Sequence, residues 1–123
     1  MDVRQRRGRR AQMRGIDTEA AASAALTRDG WTVHAQRLRT ASGEIDIVAE
    51  KNGLLAIVEV KSRPTLADAA AALTARQQLR LIGAAEILLA EHPDWGTNGV
   101  RFDVIVVDAA GAVRRIANAF RGE

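Results

Sequence analysis

The dipeptide Asn52-Gly53 constrains this chain more than any other feature of the sequence. It lies between two runs with the composition of strands, Glu-Ile-Asp-Ile-Val-Ala-Glu over 44–50 and Leu-Leu-Ala-Ile-Val-Glu-Val-Lys over 54–61. Both positions of a tight hairpin turn need positive φ, which Asn and Gly adopt at little cost, so the pair predicts a two-residue loop between antiparallel strands. Lys51 then pairs with Leu54. Counting back from there sets Ala49 against Ala56, Ile47 against Val58 and Ile45 against Val60, an apolar face. The alternate positions set Asp46 opposite Glu59 and Glu44 opposite Lys61, all on the other face.

The remaining elements arrange themselves around this hairpin. A helix is expected over 17–29, capped by Asp17 or Thr18 and closed by Gly30, with Glu19, Ala22, Ser23 and Leu26 on one face. A strand follows over 31–39, with a turn at 40–43. Pro64 ends the second hairpin strand. A long helix is expected over 68–91, with Leu81, Ile82, Ala85, Leu88 and Leu89 as its buried stripe. Two further strands are expected over 101–107 and 112–117. The order α-β-β-β-α-β-β describes an α/β domain, one mixed sheet of about five strands flanked by helices. Trp31 reads as a core plug. Trp95 lies in the 93–99 loop, where it either packs the loop or stacks on a base. His34 and His92 lack ligand spacing and are expected at the surface or in turns.

Composition narrows the function. The 123 residues suffice for one domain with a real core, and 47% are hydrophobic. No apolar run approaches the roughly 20 residues of a membrane helix, and no secretory signal follows the N-terminus, so the expected compartment is the cytoplasm, with no membrane partner. The absence of cysteine excludes disulfides, zinc-thiolate sites and thiol nucleophiles. The net charge of +3 is unevenly placed: residues 1–14 carry six arginines against Asp2, leaving 12 basic and 14 acidic residues elsewhere. These residues are expected to form a disordered basic arm before a single domain over 15–123. Arg4, Arg6, Arg7, Arg9 and Arg10 suit a phosphate backbone. An arginine-rich, alanine-rich composition bias explains the same residues without any partner.

The hairpin's polar face carries the chemistry. Directly opposed β carbons lie about 5 Å apart, where like charges destabilise a sheet. Asp46 against Glu59 is therefore a local conflict, of the kind sequences keep where function requires it. Either one carboxylate holds a proton, or a cation sits between them. A hard divalent ion such as Mg²⁺ is bound by one or two carboxylates and keeps several waters. Lys61 follows Glu59 on the same face, roughly 6.6 Å along the strand, within reach of a phosphate oxygen. These parts suit metal-assisted phosphodiester hydrolysis. The alternative is a solvent-facing hairpin edge whose Glu44–Lys61 and Glu59–Lys61 pairs contribute less than about 1 kcal/mol.

Gly43-Glu44-Ile45-Asp46 followed by Val58-Glu59-Val60-Lys61 resembles the PD-(D/E)XK signature of the restriction-endonuclease-like fold, and more closely the YraN-like family, relatives of archaeal Holliday-junction resolvases. The likeness extends over about residues 15–120, through Gly15, Glu19, Ala22, Gly30, Ser62-Arg63, Arg101-Phe102-Asp103 and Asn118-Ala119-Phe120. It implies that Asp46 and Glu59 bind Mg²⁺ or Mn²⁺, that Lys61 is catalytic, and that Glu19 enters the same site from its helix. The family tends to carry Lys on the long helix where this chain has Gln77, which related nucleases also use and which shares a helix face with Leu81 and Leu88. Arg76 and Arg80 are expected on a different edge, toward solvent or phosphate. Arg63 joins the arm as a candidate nucleic-acid contact. The function implied is an endonuclease acting on DNA, with junction-like substrates and a homodimer suggested by the resolvase likeness. A non-catalytic nucleic-acid-binding module is the alternative, and a structural protein with merely solvated acids a third.

Overall fold

The computed structural model describes residues 17–65, 67–68 and 72–120. The arginines of the expected arm lie outside the described residues. Helix α1 spans Thr18–Arg28, and Asp17 caps it by accepting the Ala20 N–H at 3.1 Å. It closes at Gly30, φ +90°, where the Trp31 N–H turns back to the Leu26 carbonyl. Strands β1 (Thr32–Thr40), β2 (Gly43–Lys51) and β3 (Leu54–Ser62) follow. Helix α2 (Ala75–Glu91), β4 (Gly99–Val107) and β5 (Val113–Phe120) complete the order.

The five strands form one sheet in the order β1-β2-β3-β4-β5, antiparallel except for the parallel pair β3–β4 that α2 connects. Each face buries an apolar layer. Ala22 and Leu26 of α1 pack with Trp31 on Ile47, Ala49, Ala56, Val58, Ile105 and Val107. Leu81, Ala84, Ala85 and Leu88 of α2 pack on Ile45, Val48, Leu55, Ile57, Phe102, Val104 and Val106. This is the α/β mixed-sheet architecture expected from the sequence, and it is consistent with the restriction-endonuclease-like fold.

Two boundaries differ from expectation by more than two residues. Ala67 and Asp68 are helical, but the long helix is not continuous from 68: α2 begins at Ala75, because Thr74 and Gln77 form a reciprocal capping box in which the Gln77 N–H donates to Thr74 Oγ1 and the Thr74 N–H to Gln77 Oε1. Strand β5 extends to Phe120 instead of ending at 117. Buried Asp103 accepts the Asn118 N–H at 2.9 Å, which lets Asn118 adopt φ +54° and carries the strand past an irregularity to Phe102↔Phe120 pairing.

The Asn52-Gly53 turn sets the predicted register, from Lys51↔Leu54 through Ala49↔Ala56 to Ile47↔Val58. There the β2–β3 ladder stops. On the other side of β2, Gln36↔Ile47 and Leu38↔Ile45 are paired, which leaves Arg37 opposite Asp46, with Arg37 at φ +50°. Beyond this rung the hairpin β1–β2 changes face: Ala35 and Leu38, three apart, both pack toward α2, as do Val48 and Ile45. Ile45 is therefore on the α2 face and not beside Ile47 as strict alternation predicts. A kinked Arg37 and a diverging β3 meet at Asp46.

Candidate active site

Asp46 sits where β2 and β3 part. In continued register the Val60 N–H would bond the Ile45 carbonyl; instead it donates to Asp46 Oδ2 at 2.8 Å. The carboxylate thus replaces a missing ladder acceptor and is fixed beside the backbone that carries Glu59. Burial pushes the Asp46 carboxyl up to about 6; the Val60 hydrogen bond opposes this, while the negative charges of Glu59, Glu19 and Glu44 add to it.

Glu59 is the most buried acid of the site, 7% exposed at the end of the α2-side core. Its Oε1 lies 3.5 Å from Lys61 Nζ, and both side chains are nearly inaccessible. Its Oε2 is buried and accepts no hydrogen bond. Arg80 Nη2 lies 3.8 Å from that oxygen, an ion-pair distance too long for a hydrogen bond. Arg80 itself is strained for partners, since its Nε is buried and donates to nothing. An orphaned buried carboxylate oxygen costs free energy. A pair of desolvated carboxylates with one lone pair unspent is a donor set that suits a hard divalent cation.

The structure does not gather every expected residue. Glu19 leans toward the sheet, but its Oε2 accepts from Arg37 Nε at 2.6 Å, so it is neutralised across the face and helps raise the Arg37 guanidinium's pKa by hydrogen bond and charge. Among the described residues no three His, Asp or Glu side chains converge on one point as metal ligands would; the acids brought together are Asp46 and Glu59. Glu44 pairs with Arg39, its β1 partner, at 3.7 Å, not with Lys61. Gln77 lies in the first turn of α2, half-buried, and its carboxamide oxygen is engaged by the cap, leaving Nε2 for any other role. Arg63 is exposed just beyond β3, and its Nη1 donates to the Ser62 carbonyl.

Arg80 is the residue sequence reasoning placed elsewhere. It stands three positions after Gln77 and four before buried Ala84, so the helical spacing that put Gln77 near the sheet applies to it as well. Two contacts fix it. The Ser42 hydroxyl donates to the Arg80 carbonyl at 3.0 Å, and Gly43, at φ +136°, leaves open the space its side chain crosses. A Cβ at Gly43 would overlap Arg80 Cγ and Cδ. The Gly-Glu-Ile-Asp run thus begins with a glycine that admits an arginine.

His34 and His92, expected at the surface or in turns, also come together, with His92 at the end of α2. They stack on opposite sides of Trp95, at centroid distances of 4.4 and 3.7 Å. Glu50 holds the arrangement, with Oε1 2.7 Å from His34 Nε2 and Oε2 accepting the Gly96 N–H. Trp95 therefore packs the loop.

Fold and site together define an α/β protein of restriction-endonuclease-like architecture with a paired-carboxylate, lysine and arginine cluster at a strand divergence. More particularly, the chain belongs to the uncharacterised protein family UPF0102, whose family model matches residues 18–107. A UPF0102 protein of Granulibacter bethesdensis is 62% identical over 115 residues, covering 94% of this chain and 73% of the relative. One from Bradyrhizobium sp. (strain ORS 278) is 47% identical over 86% of this chain and 75% of its own length. Another, from Azorhizobium caulinodans, is 42% identical over 96% and 90%. No described helix is long and apolar enough to cross a membrane.

Proposed function

We propose that this protein is a metal-dependent endonuclease that hydrolyses phosphodiester bonds in DNA, of the PD-(D/E)XK kind, with branched DNA as its candidate substrate. The observation that carries the reading is Glu59 Oε2, buried without a hydrogen-bond partner beside a second desolvated carboxylate. Asp46 and Glu59 would hold Mg²⁺ or Mn²⁺, and two carboxylates are a sufficient protein share for an ion that keeps several waters. Such an ion supplies charge neutralisation at the phosphate and a water acidic enough to attack at neutral pH.

The chain's own residues do the rest. The Val60 N–H aims the Asp46 carboxylate, and burial keeps the pair in a low-dielectric pocket where charge acts strongly. Lys61, held by Glu59, presents an ammonium that donates to a phosphoryl oxygen as negative charge accumulates there. Arg63 offers a further phosphate contact at the open end of β3, and Gln77 can contribute only through Nε2. On a junction, paired cuts need two copies of the chain.

A non-catalytic nucleic-acid-binding module is the second reading, and the engagement of Gln77 in the helix cap favours it. A nicking panel decides: junction, flap, duplex and single-stranded DNA incubated with Mg²⁺ or Mn²⁺. Metal-dependent nicks lost in Glu59→Ala and Lys61→Ala are expected. Binding without cutting in every metal tried would leave the module reading in place.

A further inference from the structure

Arg80 reaches the acidic pair from a helix the active-site motif does not include. Its guanidinium lies 3.8 Å from Glu59 Oε2, close enough to neutralise it and too far to hydrogen-bond it. Both Glu59 Oε2 and Arg80 Nε are buried without partners. An arginine built into a permanent ion pair normally spends its planar fork on the carboxylate, two parallel bonds at under 3 Å. Arg101 does so in this same fold, giving Asp103 bonds of 2.8 and 2.9 Å. The Arg80–Glu59 contact is different in kind: charge is balanced while donors and acceptor stay unspent. The fold nevertheless clears a path for it at Gly43.

We propose that Arg80 is a transferable cation: it occupies the counter-charge position on Glu59 while no metal is bound, and yields that carboxylate to the ion to bind a DNA phosphate instead. The inference rests on the metal-dependent reading above and adds a residue to it. Metal and guanidinium compete for one carboxylate oxygen, so Arg80 lowers metal affinity in the DNA-free protein. Its unspent N–H groups, set for a planar, bidentate acceptor, match the oxygens of a phosphate. Binding of DNA would then draw Arg80 away from Glu59 and favour metal loading, so that a full site assembles only on the substrate.

The test uses the full chain and Mn²⁺ alone, with free ion followed by its paramagnetic resonance signal. Arg80→Gln is expected to bind Mn²⁺ roughly tenfold more tightly than wild type, the scale set by removing a like charge at this range in a partly desolvated pocket. Arg80→Lys, which keeps a charge, is expected to remain near wild type. Arg80→Met, which removes the charge but keeps the aliphatic stem, should shift affinity in the same direction as Arg80→Gln and guards against a folding artefact at position 80. The DNA arm compares Lys61→Ala with Lys61→Ala/Arg80→Gln on a short duplex in Mn²⁺. The double variant should bind more weakly, with a log–log salt slope reduced by about one. Tight Mn²⁺ binding by wild type that Arg80→Gln leaves unchanged or weakens would overturn the inference while sparing the metal site. An unchanged salt slope would overturn it likewise. Failure of both wild type and Arg80→Gln to bind Mn²⁺ would overturn both readings together.

Discussion

Because burial holds the Asp46 carboxyl up near 6, the folded chain keeps a proton there after the unfolded chain has released its own. Between about pH 4 and 6 the native state binds more protons than the unfolded state, so this residue's contribution to stability declines as pH rises and levels off above 6. Asp46→Asn keeps the acceptor for the Val60 N–H and removes the ionisation. Its melting temperature relative to wild type should therefore climb from pH 4 to 7, a difference read by thermal unfolding in metal-free buffer across that range. A variant-minus-wild-type difference that stays flat or falls would mean Asp46 is not desolvated. Asp46, Glu59 and Lys61 were legible as a group because one tight turn fixed their alignment. Arg80 was not, because its reach depends on an absent side chain at Gly43, thirty-seven positions away in sequence.

At the scale of elements, α1, α2 and the five described strands follow from pattern, and the later start of α2 has a local cause. The alanine-rich run after Leu66 has helical propensity, but the Thr-x-x-Gln capping box of Thr74 and Gln77 opens the helix at Ala75. Thr74→Ala should cost about 1 kcal/mol, measurable as a lower urea midpoint with unchanged slope. The change leaves the backbone N–H of position 74, and with it the bond to Gln77 Oε1, in place. The 93–99 loop gives a second test. Hydrogen bonds from His34 and the Gly96 N–H hold the Glu50 carboxyl below its ordinary value. Its contribution is thus present at neutral pH and lost as pH falls through that lowered value. Hydrogen exchange at the Gly96 amide should accelerate in Glu50→Gln at pH 7. The wild type should approach the variant's protection only in acid. The His–Trp–His stack was not legible, because an irregularity between Val33 and Ala35 turns His34 out of the strand's alternation.

For the whole molecule, the sheet's two buried faces and its single parallel pair are what bring the acids together. The β1–β2 hairpin follows its own twist past Arg37, while β3 is drawn along β4 by nine paired positions from Leu54↔Gly99 to Ser62↔Val107. The gap that opens between them is filled by Asp46 on one side and Glu59 with Lys61 on the other. Sequence alone places these residues opposite one another but treats the hairpin as continuous, so the divergence, and with it the pocket, emerges only when the distant pairing to β4 is known. The central claim is that this gap binds a divalent ion through both acids. A ligand that binds only the folded state raises the melting temperature by mass action, so the most direct measurement is thermal unfolding of wild type, Asp46→Ala and Glu59→Gln over a Mn²⁺ titration. A saturable rise in wild type that both variants lack is the predicted result; no rise in wild type, or an equal rise in the variants, would contradict it.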